Sequence, residues 1–424
     1  MIYDFIIIGG GIAGLYTAYN LIKNDKSLKI LIIEKNNYLG GRIKTVHEEI
    51  NSKIFNFESG AGRFNDNHKL LLNLINELGL SKKIVKIGSD IKFYPSTNYK
   101  TKEHKIFIGN NPFKYILKVV KYATKYYKIS KIYKKNIQKY TFIEFAKKIL
   151  NKYEIKFILD SLGYYKQLVS MNAYNAIHLF SKGMNSYLQF YGLKDGLSQI
   201  IDKLYLKIKK NCTIKLKEDI VDLEYDKESK YFYVNKIYKT KKCILAIPKP
   251  ELLKFNILSK NIKTSKLLKS TGYKSLCRIY AVFEKKDIWF KDIPKTTTNN
   301  NSRYIIPLDK ENGSIMIAYS DSKYADYWNN LYKTDKKKFL QEIKNNIYKT
   351  FGIKIANPIF LKPYYWMLGT NYWKKNKDSS ILSKKILQPD KLMDLYICGE
   401  NYSENQGWIE GALETSLEII KQMN

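Results

Sequence analysis

The sequence predicts an α/β protein in which a Rossmann-like nucleotide-binding domain is interleaved with a discontinuous α+β domain, a mixed sheet flanked by helices. Three observations predict this class. The chain opens with a strand, a glycine-rich turn, a helix, a second strand and an acid. The last forty residues return to a buried strand, a glycine turn and a helix. At 424 residues, the chain is too long for one hydrophobic core.

The opening strand is the apolar run of residues 5–8, whose isoleucines are typical of a buried parallel strand. Gly9, Gly11 and Gly14 follow with G-x-G-x-x-G spacing and lead into a helical segment. A second apolar run ends at Glu34, twenty residues after Gly14. The alternative, a glycine-rich turn in an ordinary βαβ unit, does not explain why all these parts occur in order.

Each part has a physical reason to bind a dinucleotide. Gly9 permits the tight turn, Gly11 lets the backbone approach a pyrophosphate, and Gly14 lets the helix pack closely on the strand. The free N–H groups of the helix N-terminus favour phosphate. Glu34 can accept a hydrogen bond from a ribose hydroxyl, which argues against a 2′-phosphate but leaves NAD and FAD both open.

Two more glycine turns follow the second strand. Gly41 and Arg42 suit another approach to phosphate, with Arg42 as the counter-charge; the alternative is a surface turn with an isolated arginine. Residues 60–62 form a small-residue turn where the backbone could approach a flat ligand.

A lysine-rich segment, residues 110–140, contains no acidic residue, and its apolar positions fit one helix face. It could bind a membrane surface or a polyanion. We favour an ordinary packed helix whose solvated face carries lysines.

The alternation of patterns along the chain predicts two interleaved domains. The nucleotide-binding domain is expected to comprise residues 1–80, 195–250 and 379–424. The second domain is expected to comprise residues 81–194 and 251–378, where segments with strand-like alternation of apolar residues follow segments with helix-like spacing of them.

The formal charge of +35 arises from 74 basic and 39 acidic residues. It could indicate an anionic partner such as nucleic acid. The excess is almost entirely lysine spread along the chain, and arginine, the main reader of bases, is rare. We therefore favour compositional bias, and expect no specific nucleic-acid binding, with weak polyanion binding at most.

The four cysteines form no C-x-x-C pair and the four histidines are scattered, so neither a disulfide framework nor a metal site is expected. The sequence has no signal-peptide pattern and no apolar run of about eighteen residues. We expect a soluble, intracellular protein whose oligomeric state is undetermined.

The combined motifs at the two ends resemble those of the flavin-containing amine oxidase superfamily, which includes monoamine and polyamine oxidases. They are the opening fingerprint with Glu34, the Gly40-Gly41-Arg42 triplet, and Gly399-Glu400 followed by residues 407–412 (GWIEGA). The resemblance spans the chain, and its motifs are specific at the ends and loose in the middle. It implies a Rossmann-like FAD-binding domain and a substrate domain.

The resemblance implies that FAD is bound by Gly9, Gly11, Ala13, Gly14, Glu34, Gly41, Arg42, Gly60, Ala61, Gly62, Arg63, Val221, Gly399, Glu400, Trp408 and Ile409. In this assignment Val221 meets the adenine through its backbone, from a strand over residues 219–223. Glu400 binds the ribityl chain or a phosphate-side hydroxyl.

The implied reaction is FAD-dependent oxidation of an amine. A hydride passes from the amine carbon to flavin N5, the imine is hydrolysed, and O2 reoxidises the flavin to give hydrogen peroxide. Two aromatic side chains commonly surround the amine in this family. Trp408 matches one by position, and either Tyr372 or Trp373 is expected to supply the other.

The sequence departs from the family at the lysine that often holds a water near flavin N5. The corresponding strand has Arg278 there, which cannot act as a base. Lys274 could substitute only if the strand is regular, because residues four apart then share a face. No cysteine lies near Tyr372, so covalent flavin attachment is not expected.

Two alternatives stay open at this stage. One is a desaturase or porphyrinogen-oxidase-like flavoenzyme that shares the opening motif. The other is a flavin-binding protein that has lost its activity and binds polyanions through its basic surface. The aromatic residue after Gly407 favours amine oxidation over the first, and Arg278 keeps the second open.

Overall fold

The computed structural model describes residues 2–88, 90–96, 107–127, 135–184 and 188–423. The strands are β1 (Ile2–Ile8), β2 (Ile30–Glu34), β3 (Thr45–Ile50), β4 (Lys53–Glu58), β5 (Phe64–Asn65), β6 (Ile84–Ile87), β7 (Lys92–Phe93), β8 (Phe190–Leu193), β9 (Cys212–Leu216), β10 (Leu223–Asp226), β11 (Tyr231–Val234), β12 (Tyr238–Leu245), β13 (Thr271–Val282), β14 (Thr296–Thr297), β15 (Tyr304–Asp309), β16 (Ser314–Asp321), β17 (Phe360–Trp373) and β18 (Leu395–Ile397).

The α-helices are α1 (Ile12–Asn24), α2 (Lys69–Glu77), α3 (Phe113–Tyr127), α4 (Phe142–Ala146), α5 (Lys152–Ser161), α6 (Tyr165–Val169), α7 (Ala173–Lys182), α8 (Ser198–Ile208), α9 (Lys249–Leu252), α10 (Asn256–Ser259), α11 (Ile262–Leu268), α12 (Ser322–Thr334), α13 (Lys336–Phe351), α14 (Ser379–Leu387) and α15 (Ile409–Met423).

The first sheet has seven strands in the order β10-β11-β12-β1-β2-β9, with β18 paired to β12. The β12–β1, β1–β2, β2–β9 and β12–β18 pairs are parallel. The apolar run of β1 is buried because helices such as α1 cover one face of this sheet and a second apolar cluster covers the other. The predicted opening strand–helix–strand unit and the strand near the end of the chain therefore meet in one sheet.

The second sheet is mixed, with the order β17-β13-β16-β15-β14-β7. Its pairs are antiparallel except β14–β7. Helices α12 and α13 pack on one face through a cluster that includes Trp328, Phe339 and Ile347. The predicted fold class, a Rossmann-like sheet with a mixed sheet flanked by helices, is confirmed. The exact domain boundaries stay a prediction.

The lysine-rich segment forms α3, and the residues on one of its faces are buried. Ile116, Val119 and Ala123 lie in the apolar cluster that also contains Phe142 and Phe180. The packed-helix interpretation therefore holds for α3, whereas residues 128–134 of the segment lie outside the described residues. Among the described helices, none is both long and apolar enough to cross a bilayer.

Candidate active site

A cavity of about 630 Å³ lies where the two sheets meet. Its walls come from the glycine turns that follow β1 and β2, from β13, β15, β16 and β17 of the mixed sheet, and from the segment that leads into α15. This volume is in the range of cofactor and ligand sites in proteins. One end is lined by the dinucleotide fingerprint and the other by side chains of the mixed sheet, so the two ends are chemically different.

The fingerprint end fits the pyrophosphate of a dinucleotide. Gly11 is the N-cap residue of α1, and no side chain caps this helix. Its first-turn N–H groups therefore have no intrahelical acceptor, and Ile12 and Ala13 line the cavity. A Cβ on Gly11 would meet no protein atom within 4 Å. The glycine thus leaves space at the point where a phosphate would approach.

Glu34 lies at the end of β2 and is 6% exposed. Its Oε2 accepts the Gly10 N–H at 2.8 Å, and its Oε1 accepts two N–H groups of Asn36 at 2.9 and 2.6 Å. These bonds fix the carboxylate at the cavity wall. One lone pair of Oε2 is left to accept a ribose hydroxyl.

Two of the predicted cofactor glycines have packing roles. A Cβ on Gly14 would collide with the Gly9 carbonyl oxygen, and a Cβ on Gly60 would collide with the Arg42 carbonyl oxygen. Gly14 does not line the cavity, as expected for the glycine that brings helix and strand together. Gly41, Gly60, Ala61 and Gly62 do line it.

An ion pair in the cavity wall joins residues from near the two ends of the chain. Arg42 Nη2 lies 2.9 Å from Glu400 Oε2, and Arg42 Nη1 donates to the Gly369 carbonyl at 3.3 Å. Glu400 also accepts the Gly407 N–H at 2.6 Å and the Asn371 side-chain N–H at 2.8 Å. Burial alone would raise the pKa of the Glu400 carboxyl, but Arg42 and these bonds hold it below its usual value. Gly399 lies beside this pair in the cavity wall.

Val221 does not contribute to the cavity. Strand β10 begins only at Leu223, so Val221 lies in the preceding loop and is 78% exposed. Its N–H is already bonded to Asn235 Oδ1 at 3.0 Å. The neighbouring Asp219 and Ile220 line the cavity instead. The predicted strand over residues 219–223 was misplaced because that apolar run belongs to a loop closed by the Asn235 side chain.

Trp408 forms part of the other end of the cavity. Its ring centroid lies 4.7 Å from that of His68 and 6.3 Å from that of Phe190. Its Nε1 is buried and has no hydrogen-bond partner among the described residues. Ile409, the first residue of α15, lies beside it in the wall.

Neither Tyr372 nor Trp373 lines the cavity, so the expected second aromatic wall is wrong. Trp373 is fully buried in another cluster, where its Nε1 donates to the Ser403 carbonyl at 2.9 Å. Tyr372 lies beyond the cavity along β17, with its ring against Gly272. It is Thr370 of this strand that contributes to the cavity wall.

The aromatic residues that accompany Trp408 come from other elements. Tyr164 precedes α6, Tyr319 lies in β16 and Trp366 lies in β17, and all three line the cavity. The Tyr164 and Tyr319 ring centroids are 5.6 Å apart and approach edge to face. The sequence contains 36 tyrosines, so no local pattern distinguishes these from the others.

Arg278 lies in the cavity wall and is 8% exposed. Its Nη1 donates to the Glu58 carbonyl oxygen at 2.8 Å, and its guanidinium lies 4.7 Å from the Tyr319 ring centroid. Lys274 does not line the cavity. The β13–β17 register shifts between Lys274 and Leu276, so the regular strand that Lys274 would need to replace the family lysine is absent.

Sequence reasoning missed a fully buried lysine. Lys166 of α6 is 0% exposed, and its Nζ donates to Thr370 Oγ1 and to the Asn371 carbonyl, both at 2.7 Å. Burial lowers its pKa to about 8, although the charges of Glu400 and Asp321 oppose the shift. Because Asn371 also bonds Glu400, Lys166 belongs to the same polar network as Arg42.

The sequence model of the flavin-containing amine oxidoreductase family matches residues 12–419. An uncharacterized protein of Acanthamoeba polyphaga mimivirus, R188, is 23% identical over 98% of this chain and 93% of its own length. A mouse L-amino-acid oxidase is 38% identical, but over only 18% of this chain and 11% of its own length.

Two solved structures have a similar fold. A cofactor-binding variant of a putrescine oxidase matches 100% of this chain and 99% of its own, with a TM-score of 0.76 and 15% identity. A protein assigned as a protoporphyrinogen oxidase from Exiguobacterium sp. 255-15 matches 99% of this chain and 98% of its own, with a TM-score of 0.72 and 15% identity. At these identities the similarity concerns the fold alone.

Proposed function

The chain belongs to the family of flavin-containing amine oxidoreductases, and on that premise we propose that it is an FAD-dependent amine oxidase that uses O2 and releases hydrogen peroxide. One observation carries this proposal: a single cavity joins a dinucleotide-binding end to an end lined by aromatic residues. A cofactor bound at the first end would extend into the second, where a small molecule could meet its reactive part.

We propose that the fingerprint end holds the AMP part of FAD. The first turn of α1 would bind the pyrophosphate, and Glu34 would accept a ribose hydroxyl. Arg42 and Glu400, which both line the cavity, would contact the phosphates and the ribityl chain. The sixteen residues predicted to bind FAD are retained as a proposal, except Val221.

The bound flavin would supply the acceptor for the hydride of the amine carbon. The protein would exclude water and hold the amine in its neutral form, since burial disfavours a charged ammonium. Trp408, with Tyr164 and Tyr319, offers apolar ring surface for this purpose. Arg278 cannot take up a proton. Lys295 also lines the cavity, and its pKa is lowered, mainly by burial, to about 7, which permits titration near neutral pH.

We propose that the flavin is bound without a covalent link. The four cysteines are buried, and only Cys398 lines the cavity. Its Sγ lies 3.8 Å from Oγ1 of Thr17 in α1. Precipitation of the yellow protein with acid is expected to leave all flavin in the supernatant, whereas flavin in the pellet would indicate a covalent bond.

Anaerobic mixing of the flavin-loaded protein with amines tests the main proposal. At least one member of a panel of monoamines, polyamines and amino acids is expected to bleach the flavin absorbance near 450 nm. Readmission of air is expected to restore the absorbance and release one peroxide per amine.

Bleaching by no member of the panel would overturn amine oxidation. A porphyrinogen should be included, because oxidation of that compound alone would favour the alternative family chemistry. Trp408→Ala is expected to reduce the bleaching rate at least about tenfold while it retains flavin, since the aromatic surface acts on the amine. Trp289→Ala, which removes a ring that does not line the cavity, serves as the matched control.

A further inference from the structure

Lys166 is a buried lysine of which one contact reaches the cavity wall. Its Nζ donates to Thr370 Oγ1 and to the Asn371 carbonyl oxygen, both at 2.7 Å. Thr370 lines the cavity, whereas Lys166 is fully buried and does not line it. The Thr370 hydroxyl is therefore a polar link between the cavity and Lys166 Nζ.

The contact between Lys166 and Thr370 can carry a proton in either direction. A hydroxyl both donates and accepts hydrogen bonds, and the separation of 2.7 Å is within reach of direct proton transfer. Both acceptors of Nζ are uncharged, so neither holds the proton on Nζ by an ion pair. Burial lowers the pKa of Lys166 to about 8, so its neutral form is accessible close to neutral pH.

The charges that face Lys166 would attract an ammonium to this part of the wall. Glu400 and Asp321 line the cavity, and their charges favour the protonated lysine, whereas the charge of Arg42 opposes it. Burial raises the pKa of Asp321 only to about 6. Burial alone would also raise the pKa of Glu400, but Arg42 helps to hold it below its usual value. Both carboxylates are therefore ionised at neutral pH.

Lys295, which lines the cavity directly, has the opposite surroundings. Burial and the charge of Arg63 both lower its pKa, to about 7. A positive neighbour disfavours a second cation, so an ammonium is less stable beside Lys295 than beside Thr370. The charges around the two lysines therefore favour Lys166 as the partner of a cationic amine.

We propose that Lys166, acting through the Thr370 hydroxyl, takes a proton from the ammonium form of the substrate and so delivers the neutral amine that can give up a hydride. This inference rests on the proposed amine oxidase function. The Thr370 hydroxyl passes its proton to neutral Lys166 Nζ and receives one from the substrate nitrogen. One N–H bond of the substrate breaks as one forms on Nζ, and no electrons are transferred.

The rate of anaerobic flavin reduction at saturating amine tests this step. The wild-type rate is expected to rise between about pH 7 and pH 9, because Lys166 loses its proton around its pKa of about 8. Lys166→Met and Thr370→Val are each expected to lower the rate at about pH 7.5 at least about tenfold. Thr370→Ser keeps the hydroxyl and is expected to retain most of the wild-type rate.

A second amine separates proton transfer from a structural role of Lys166. A fluorinated analogue of the oxidised amine that has a much lower pKa arrives as the neutral amine. For this analogue the ratio of wild-type to variant rates is expected to fall to about one. Lys249→Met is the matched control, because Lys249 donates to the Thr271 carbonyl and burial lowers its pKa to about 8 as well. It is expected to keep the wild-type pH profile.

Three results would overturn the inference while amine oxidation stands. One is an equal loss of rate for both amines in Lys166→Met and Thr370→Val, which would show a structural role. Another is a wild-type pH profile in both variants. The third is loss of the pH dependence in Lys295→Met but not in Lys166→Met, which would assign the proton to Lys295.

A binding measurement distinguishes this inference from the proposed function. An amine without hydrogen on the carbon next to nitrogen cannot be oxidised, and an indicator dye reports the protons released when it binds the flavin-loaded protein. If this amine and Lys166 share one proton, the wild type is expected to release about one proton at about pH 7 and almost none at about pH 9. In Lys166→Met the number is expected to change little over this range.

This pattern of proton release, without oxidation of any amine in the panel, would reject the oxidase and keep Lys166 as the proton acceptor. Proton release that does not change with pH in the wild type would reject Lys166 as the acceptor. Absence of any amine binding would reject both.

Discussion

Arginine is the residue type whose position is most informative in this chain. The sequence has four arginines among 74 basic residues, and three of them, Arg42, Arg63 and Arg278, line the cavity. The fourth, Arg303, is buried and donates to the Leu159 and Leu162 carbonyls. Planar guanidinium groups make several fixed hydrogen bonds at once, which lysine cannot reproduce. In a lysine-rich sequence, the rare arginines therefore indicate the site.

Lys166 allows a prediction on stability against pH. Its pKa is about 8 in the folded protein, whereas an unfolded lysine titrates near its ordinary pKa of about 10.4. Between these values the unfolded chain binds a proton that the folded protein lacks, so this site adds stability as pH rises. The melting temperature of wild type minus that of Lys166→Met is expected to increase from about pH 8 to pH 10.

The control for this measurement is Lys147→Met, which removes an exposed lysine of the same region. Its difference from wild type is expected to stay constant over the same pH range. A constant difference for Lys166→Met as well would show that Lys166 is not the titrating group.

At the scale of elements, α15 has two roles, and residues of the GWIEGA motif serve both. Its first residues line the cavity, and its Glu410 reaches back to another helix. The two Glu410 carboxylate oxygens accept the Leu70 and Leu71 N–H groups at 2.9 Å each, and thereby cap the N-terminus of α2. Glu410, the acid in the GWIEGA sequence, is therefore a structural residue that links α15 to α2.

Removal of this cap is expected to destabilise the fold. Glu410→Ala leaves two backbone donors of α2 without an acceptor, and should lower the free energy of unfolding by about 1–2 kcal/mol. Denaturant unfolding followed by circular dichroism measures this change. Glu418→Ala alters an exposed acid of the same helix and is expected to have an effect within about 0.5 kcal/mol. Equal effects of the two substitutions would contradict the capping role.

The contact between α1 and β1 permits a second test at this scale. A Cβ on Gly14 would collide with the Gly9 carbonyl oxygen, so Gly14→Ala must move the helix away from the strand. We expect flavin affinity to fall at least about tenfold, because the first turn of α1 shifts with it. Gly88→Ala is the matched control, since a Cβ there meets nothing within 4 Å. Flavin affinity that is unchanged in Gly14→Ala, measured by fluorescence titration, would contradict the prediction.

At the scale of the whole molecule, the charge of +35 comes mainly from lysines that are spread along the sequence. Several lysines lie over tyrosine rings, including Lys44 over Tyr38 and Lys148 over Tyr140, both at 3.9 Å. Each of these contacts joins one lysine to one ring. The surface therefore acts through its long-range field, which salt screens.

A lysine charge without a specific site should give only weak binding to DNA. Fluorescence anisotropy of a labelled duplex should show weak, sequence-independent binding in low salt and none at about 0.3 M salt. Two duplexes of unrelated sequence should give equal affinities at each salt concentration. Retention of binding at the higher salt, or a clear difference between the duplexes, would indicate a specific nucleic-acid partner and contradict the compositional explanation.

The sequence by itself determined the fold class, the family and the fingerprint end of the cavity. These rest on local rules: β1 is a buried apolar run, Gly11 and Gly14 have short-range backbone roles, and Glu34 follows β2 directly. Trp408 and Arg278 could be predicted to line the site because each lies in a recognisable motif or strand. Such features depend on neighbours a few residues apart.

Only the tertiary structure decided which side chains meet across the cavity. Val221 lies outside the cavity because β10 begins two residues later, at Leu223. Tyr372 lies outside it because Thr370 is the last residue of β17 that lines the cavity. The sequence did not predict two lysines. Lys166 is buried by its contacts with β17, and Lys295 reaches the cavity from the loop before β14. Contacts between residues more than 100 positions apart depend on strand register and on helix packing, and no local pattern in the sequence encodes them.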